Sequence, residues 1–163
     1  MFELKAISQG AIQKALEKAE RYRLLNEPEE AESICLDVLQ VDPENQQALI
    51  TLLLALTDQF EMRLSASRPH ELLPRLHGEY ERAYYAGIIS ERRIRALLNQ
   101  GSPGARDAAY DGLREAMEWY EKAEAIRPPG NDDAMLRWNA CARLIMQHHL
   151  VAAQEERTQF MLE

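Results

Sequence analysis

From Ala15 to Asn45 the chain reads ALEKAERYRLLNEPEEAESICLDVLQVDPEN, two helix-forming segments parted by Leu25-Asn26-Glu27-Pro28. In the second segment Ala31, Cys35 and Val38 are spaced by four and then three residues, which puts them on one face of a helix. Pro43 stops that helix, because it has no N–H to donate and its ring clashes with the preceding turn. The same offsets recur as Leu76-x3-Tyr80-x2-Ala83-x4-Ile88 and as Ala116-x3-Tyr120-x2-Ala123-x4-Pro128. Recurrence of one helical unit implies a stacked array, in which each unit buries its apolar face against its neighbours.

The first copy resembles a tetratricopeptide repeat. Ala19 stands three residues before the aromatic Tyr22 on the first helix, and Ala31 stands where the second helix packs closest. Pro43 closes the unit between Asp42 and Asn45. Lys18 and Cys35 depart from the family's Leu and aromatic. Leu76 follows Ala31 by 45 positions and Ala116 follows Leu76 by 40. Against a family period of about 34, roughly 11 and 6 residues have been added inside the hairpins. The resemblance covers 12–45 and 105–130 most closely. It implies an all-α fold, a right-handed α-solenoid of about three tetratricopeptide-like helical hairpins with a C-terminal capping helix. The expected repeats are 8–45, 46–89 and 90–130, with a capping helix over 131–160, in one domain spanning 1–163.

Composition agrees with a helical chain. Of 163 residues only 7 are Gly and 7 are Pro, while the strong helix formers Ala, Leu, Glu and Arg abound. Breakers mark about seven helices: 8–25, 29–40, from after Pro43 to 64, 71–87, 90–99, 105–127 and 131–160. Ser90 is the expected N-cap of the fifth, and Pro28, Pro43, Pro69, Gly101 and Pro128 are the expected breaks. The third is so apolar from Ala48 to Leu56 that burial on several sides is expected. The net charge of −8, from 19 basic and 27 acidic residues, repels nucleic acid and anionic membranes. Leu49–Leu56, the longest apolar run, is far short of a membrane span. Phe2-Glu3-Leu4-Lys5 is already charged where a secretory segment would be apolar. A cytoplasmic protein is expected.

Catalytic chemistry finds few residues to work with. His148 and His149 are adjacent, so on a helix they point about 100° apart and cannot readily share a metal. His70 and His77 share a spacing but lack a third ligand. Cys35 and Cys141 read as small buried hydrophobes, and no phosphate loop or nucleophile elbow is present. No catalytic residue, cofactor or metal is expected, and the protein is not expected to be an enzyme. What remains is a surface.

In the tetratricopeptide family the first helices of successive repeats line a concave groove that takes a partner peptide. Carried over by offset, that groove presents Gln13, Leu16, Glu20 and Arg23, then Gln47, Ile50, Leu54 and Asp58. Arg92, Arg95 and Asn99 follow, and the last helix adds Met135, Asn139 and Arg143. The arginine-bearing end is similar to the carboxylate-clamp members, which hold an acidic C-terminus, although Leu16 and Glu20 stand where the clamp has Lys and Asn. The alternative for these Arg residues is solvation or pairing with Glu91 and Asp132. The expected function is an adaptor, monomeric or weakly dimeric, that binds a protein or peptide partner such as an acidic or C-terminal segment. A self-assembling structural subunit is the alternative, ahead of an enzyme with an unrecognised site.

Overall fold

The computed structural model describes residues 1–62, 64–153 and 161, and every regular element among them is helical. The chain divides into two compact units, Met1–His77 and Gly78–Glu163. The first contains α1 (Ile12–Leu24), α2 (Pro28–Val41), α3 (Gln46–Thr57) and the short α4 (Ser67–Leu72), with 3-10 turns at Gln9–Ala11, Phe60–Met62 and Leu73–Arg75. The second contains α5 (Glu79–Gln100), α6 (Ala105–Ala125) and α7 (Asp133–Gln147). Seven α-helices therefore form among the described residues, in the expected number but with several bounds moved.

Local chemistry sets the helix ends. Asn26 adopts a left-handed φ of 59° after α1, and the Glu27 N–H reaches back to the Tyr22 carbonyl at 2.8 Å. That is the closure that satisfies the last free carbonyls of a helix. Gly101 at φ 63° and His149 at φ 49° close α5 and α7 in the same way, with Ser102 N–H on Leu97 O and Leu150 N–H on Ile145 O. Pro28 opens α2 at its first turn, where a missing N–H costs nothing. Asn45 caps α3, its side chain accepting from the Ala48 N–H at 2.9 Å.

In the first unit α1 packs on α2, α2 on α3 and α3 on α4. Ala31, Cys35 and Val38 are wholly buried, as their spacing requires. From Ala48 to Thr57 only Ile50 and Leu54 escape burial, so α3 is enclosed on nearly all sides. In the second unit α5 packs on α6 and α6 on α7. Ala116, Tyr120 and Ala123 are wholly buried there.

The middle of the chain differs from expectation. The helices expected at 71–87 and 90–99 are one continuous helix, α5, so the repeat boundary placed at 89/90 falls inside it. Ser90 is a buried mid-helix residue rather than an N-cap. Gly87 does not break the helix because it serves packing: a Cβ there would lie 2.5 Å from Cε1 of Tyr120. The break falls instead at Leu76–Gly78. Leu76 has extended ψ, 131°, so the middle copy of the motif does not lie on one helix. Pro69 is no break, since it sits in the first turn of α4. The helix expected over 131–160 runs as α7 from Asp133 to Gln147, and residues 154–160 of the expected span lie outside the described residues. No helix is long and apolar enough to cross a membrane among the described residues.

Small residues set the approach of α5 and α6. Replacing the wholly buried Ala116 by Leu is expected to cost about 1–3 kcal/mol through overpacking. Glu118→Ala, on the exposed side of the same helix, should stay within about 0.5 kcal/mol of the parent. Equal shifts of the two urea midpoints would show that the buried face of α6 has been misassigned.

Candidate functional site

In the first unit α1 and α3 lie side by side, and their expected groove residues meet one another. Gln47 donates to Glu20 Oε1 at 3.5 Å. Arg23 grips Asp58 through Nε at 2.7 Å and Nη2 at 3.3 Å, a two-pronged pair. Gln13 is exposed, and Ile50 and Leu54 are half-buried. Leu16 is only 1% exposed, so it is a core residue rather than a groove residue. Its face of α1 is the one packed against the neighbouring helices. A separate hollow of about 290 Å³, floored by leucines including Leu39, Leu52 and Leu72, lies between α2, α3 and α4.

The second unit holds the remaining expected residues. Arg92 is half-buried on α5, and Asn99 is exposed near its end. Arg95 turns to Glu91, with Nε 3.2 Å from Oε2, and Arg127 lies 3.6 Å from Asp132. Of the three expected arginines Arg95 pairs with Glu91, which draws it away from any outside carboxylate, whereas the Asp132 contact comes from Arg127, outside the expected set. Arg143 is exposed on α7, one turn past Asn139. Met135 and Asn139 line an open hollow of about 350 Å³ with Trp138, Glu121 and Glu124. The Trp138 indole N–H donates to Glu121 Oε1 at 3.0 Å, tying α7 to α6. Glu124 lies 3.6 Å from Arg127.

Glu91 entered the sequence reading only as a partner for arginine, and its burial is what that reading missed. It is 0% exposed and is held from three helices. Arg95 of α5 and Arg137 of α7 both reach its Oε2. Tyr120 of α6 donates to its Oε1 at 3.4 Å, and the Cys141 thiol of α7 does so at 3.1 Å. A buried carboxylate needs such partners, because desolvation costs several kcal/mol per ion. Burial pushes the Cys141 thiol up to about 11, against the opposing pull of Arg95 and Arg137, so it stays protonated and serves as a donor. Burial likewise raises Tyr120 and carries Tyr84 to about 12. Two guanidinium groups and two neutral donors thus surround one enclosed carboxyl group. The cluster can lock α5, α6 and α7 in register, and it gives a substrate no access to Glu91. The available signal was position: Gly87, Glu91 and Ile94 fall at i, i+4 and i+7, on the apolar stripe of α5.

The two cysteines are free and buried, as their reading as small hydrophobes requires, and burial pushes Cys35 up to about 12. His148 and His149 are exposed, and the His148 carbonyl accepts from Arg106 at 2.8 Å. Among the described residues no three His, Cys, Asp or Glu side chains are placed to share a metal ion. No protein-family model, curated protein or solved structure matches this chain.

Proposed function

We propose that this protein is a non-catalytic interaction module of the cytoplasm, built from tetratricopeptide-like hairpins, that holds a segment of a partner protein against α6 and α7. The observation carrying this reading is the open hollow in which Met135 and Asn139, expected in a groove from the tetratricopeptide resemblance, stand beside Trp138. Trp is the side chain most concentrated in binding hot spots, and Met adapts to irregular apolar partners. The Glu91 cluster supports the same reading from below, since it fixes α7 on α5 and α6 and so makes the hollow a preformed surface.

The test is capture from a native cell extract with the parent and with a Met135→Ala, Trp138→Ala double variant. Loss of two anchors of this kind should weaken retention of the captured partner by about tenfold or more. Glu118→Ala on α6 should retain it fully. A double variant that folds and retains the partner as well as the parent would move the binding face elsewhere.

A further inference from the structure

We infer that the α6–α7 hollow selects a cationic side chain, a Lys or Arg carried on the partner segment. The inference rests on the reading of this hollow as the docking face. Its walls have complementary chemistry. Glu121 and Glu124 on α6 supply two carboxylates at i, i+3, on one face of the helix. Met135, Trp138 and Asn139 on α7 supply a thioether, an indole and an amide at i, i+3 and i+4. The indole N–H is committed to Glu121 Oε1 at 3.0 Å, which fixes the ring beside a carboxylate whose other oxygen remains an acceptor. An aromatic face next to a fixed carboxylate suits a cation with an aliphatic stem. The charge is met by both groups, and the stem lies along the thioether and the ring. The Asn139 amide, exposed, offers a donor and an acceptor to the partner's main chain.

The local charges also decide against an acidic occupant. Among the described residues no cationic side chain lines the hollow. Arg127, which pairs with the lining residue Glu124, is divided between it and Asp132 at 3.6 Å each. Glu124 and Asp132 thus share one guanidinium, and with Glu121 they leave an excess of negative charge. Lys122 is held over the Trp119 ring, 4.3 Å from its centroid, and Arg143 stands one turn beyond the lining on α7. The chain as a whole carries −8, so long-range attraction and local chemistry agree. A volume of about 350 Å³ lies at the small end of binding pockets, room for one long side chain and an apolar neighbour.

The chain has two tryptophans, so a Trp119→Phe background leaves Trp138 as the sole indole reporter. The probes are three synthetic amphipathic peptides differing only at one central residue: Lys, norleucine or Glu. The Lys peptide should shift Trp138 emission and bind about five- to tenfold more tightly than the norleucine peptide, with an advantage that shrinks as salt is added. Glu121→Gln with Glu124→Gln keeps an acceptor for the indole but removes both charges. This pair of changes should abolish the Lys preference and leave norleucine binding unchanged. Equal binding of Lys and norleucine, or a preference for Glu, overturns the cation inference while the docking face stands. Silence of Trp138 toward all three peptides overturns both.

Discussion

Replacing Arg137 by Met is expected to destabilise the second unit by about 3 kcal/mol, the low end for breaking a buried ion pair, whereas Arg95→Met should cost about 1 kcal/mol. The two arginines reach the same Glu91 oxygen, yet they differ in what each holds together. Arg95 is four residues away on the same helix, so its contact adds little that α5 does not already fix. Arg137 comes from α7, and its removal leaves a fully buried carboxylate with one fewer charge partner and one fewer tie between helices. The asymmetry can be isolated with Glu91→Gln, which keeps the shape and an acceptor for Tyr120 and Cys141 but removes the charge. In that background Arg137→Met should cost less than about 1 kcal/mol, giving a coupling of roughly 2 kcal/mol. Both tryptophans lie in the second unit, so indole emission during urea unfolding reports this unit directly. A coupling near zero, or equal losses for the two arginines, would mean that the Glu91 cluster does not tie the helices.

The helices at the two ends of the chain were legible because their signals are local. Asn26-Glu27-Pro28, Pro43 and Gly101 dictate closures and starts through backbone chemistry that needs no tertiary context. The periodic Ala31-Cys35-Val38 and Ala116-Tyr120-Ala123 faces then name their own cores. The middle was misread for a physical reason. Gly87 is a breaker by propensity, but under Tyr120 its lack of a side chain lets the two helices meet. Gly112 does the same from α6, where a Cβ would lie 2.4 Å from Cδ1 of Ile94, so packing overrode propensity and the helix ran on through Ser90. Leu76 shared its offsets with true helical positions but fell in a turn, because Pro74 and Gly78 bracket it.

Of the expected binding residues, the tetratricopeptide resemblance put Met135 and Asn139 on what is an open face, and it put Glu20, Arg23, Gln47 and Asp58 in one groove. It could not show that those four satisfy one another, since pairing across helices depends on packing that no spacing encodes. The same limit hid the burial of Glu91. Its pairing with an arginine was among the expectations, but its enclosure follows only from Arg137 and Cys141, more than 40 residues later, which arrive from another helix.

Tyr120→Ala should be the most damaging single change, at about 3–5 kcal/mol for a large ring removed from a closed core. Tyr120→Phe should cost only about 1 kcal/mol or less. The difference follows from where the ring and its hydroxyl sit. The ring is wholly buried, packed at 5.9 Å from Tyr84 between centroids, and it fills the space over Gly87. The hydroxyl meets Glu91 at 3.4 Å, near the outer limit of a hydrogen bond, and Glu91 keeps its other donors when it is lost. The ring's position also predicts a reversal of sign. In the parent, Gly87→Ala gains up to about 1 kcal/mol of helix propensity, but its Cβ would meet ring carbons at 2.5 and 2.8 Å, so overpacking of about 1–3 kcal/mol outweighs it. In the Tyr120→Ala background the obstruction is gone, and the same substitution should raise the urea midpoint. If Gly87→Ala lowers it equally in both backgrounds, the contact between Tyr120 and Gly87 does not set the approach of α5 and α6.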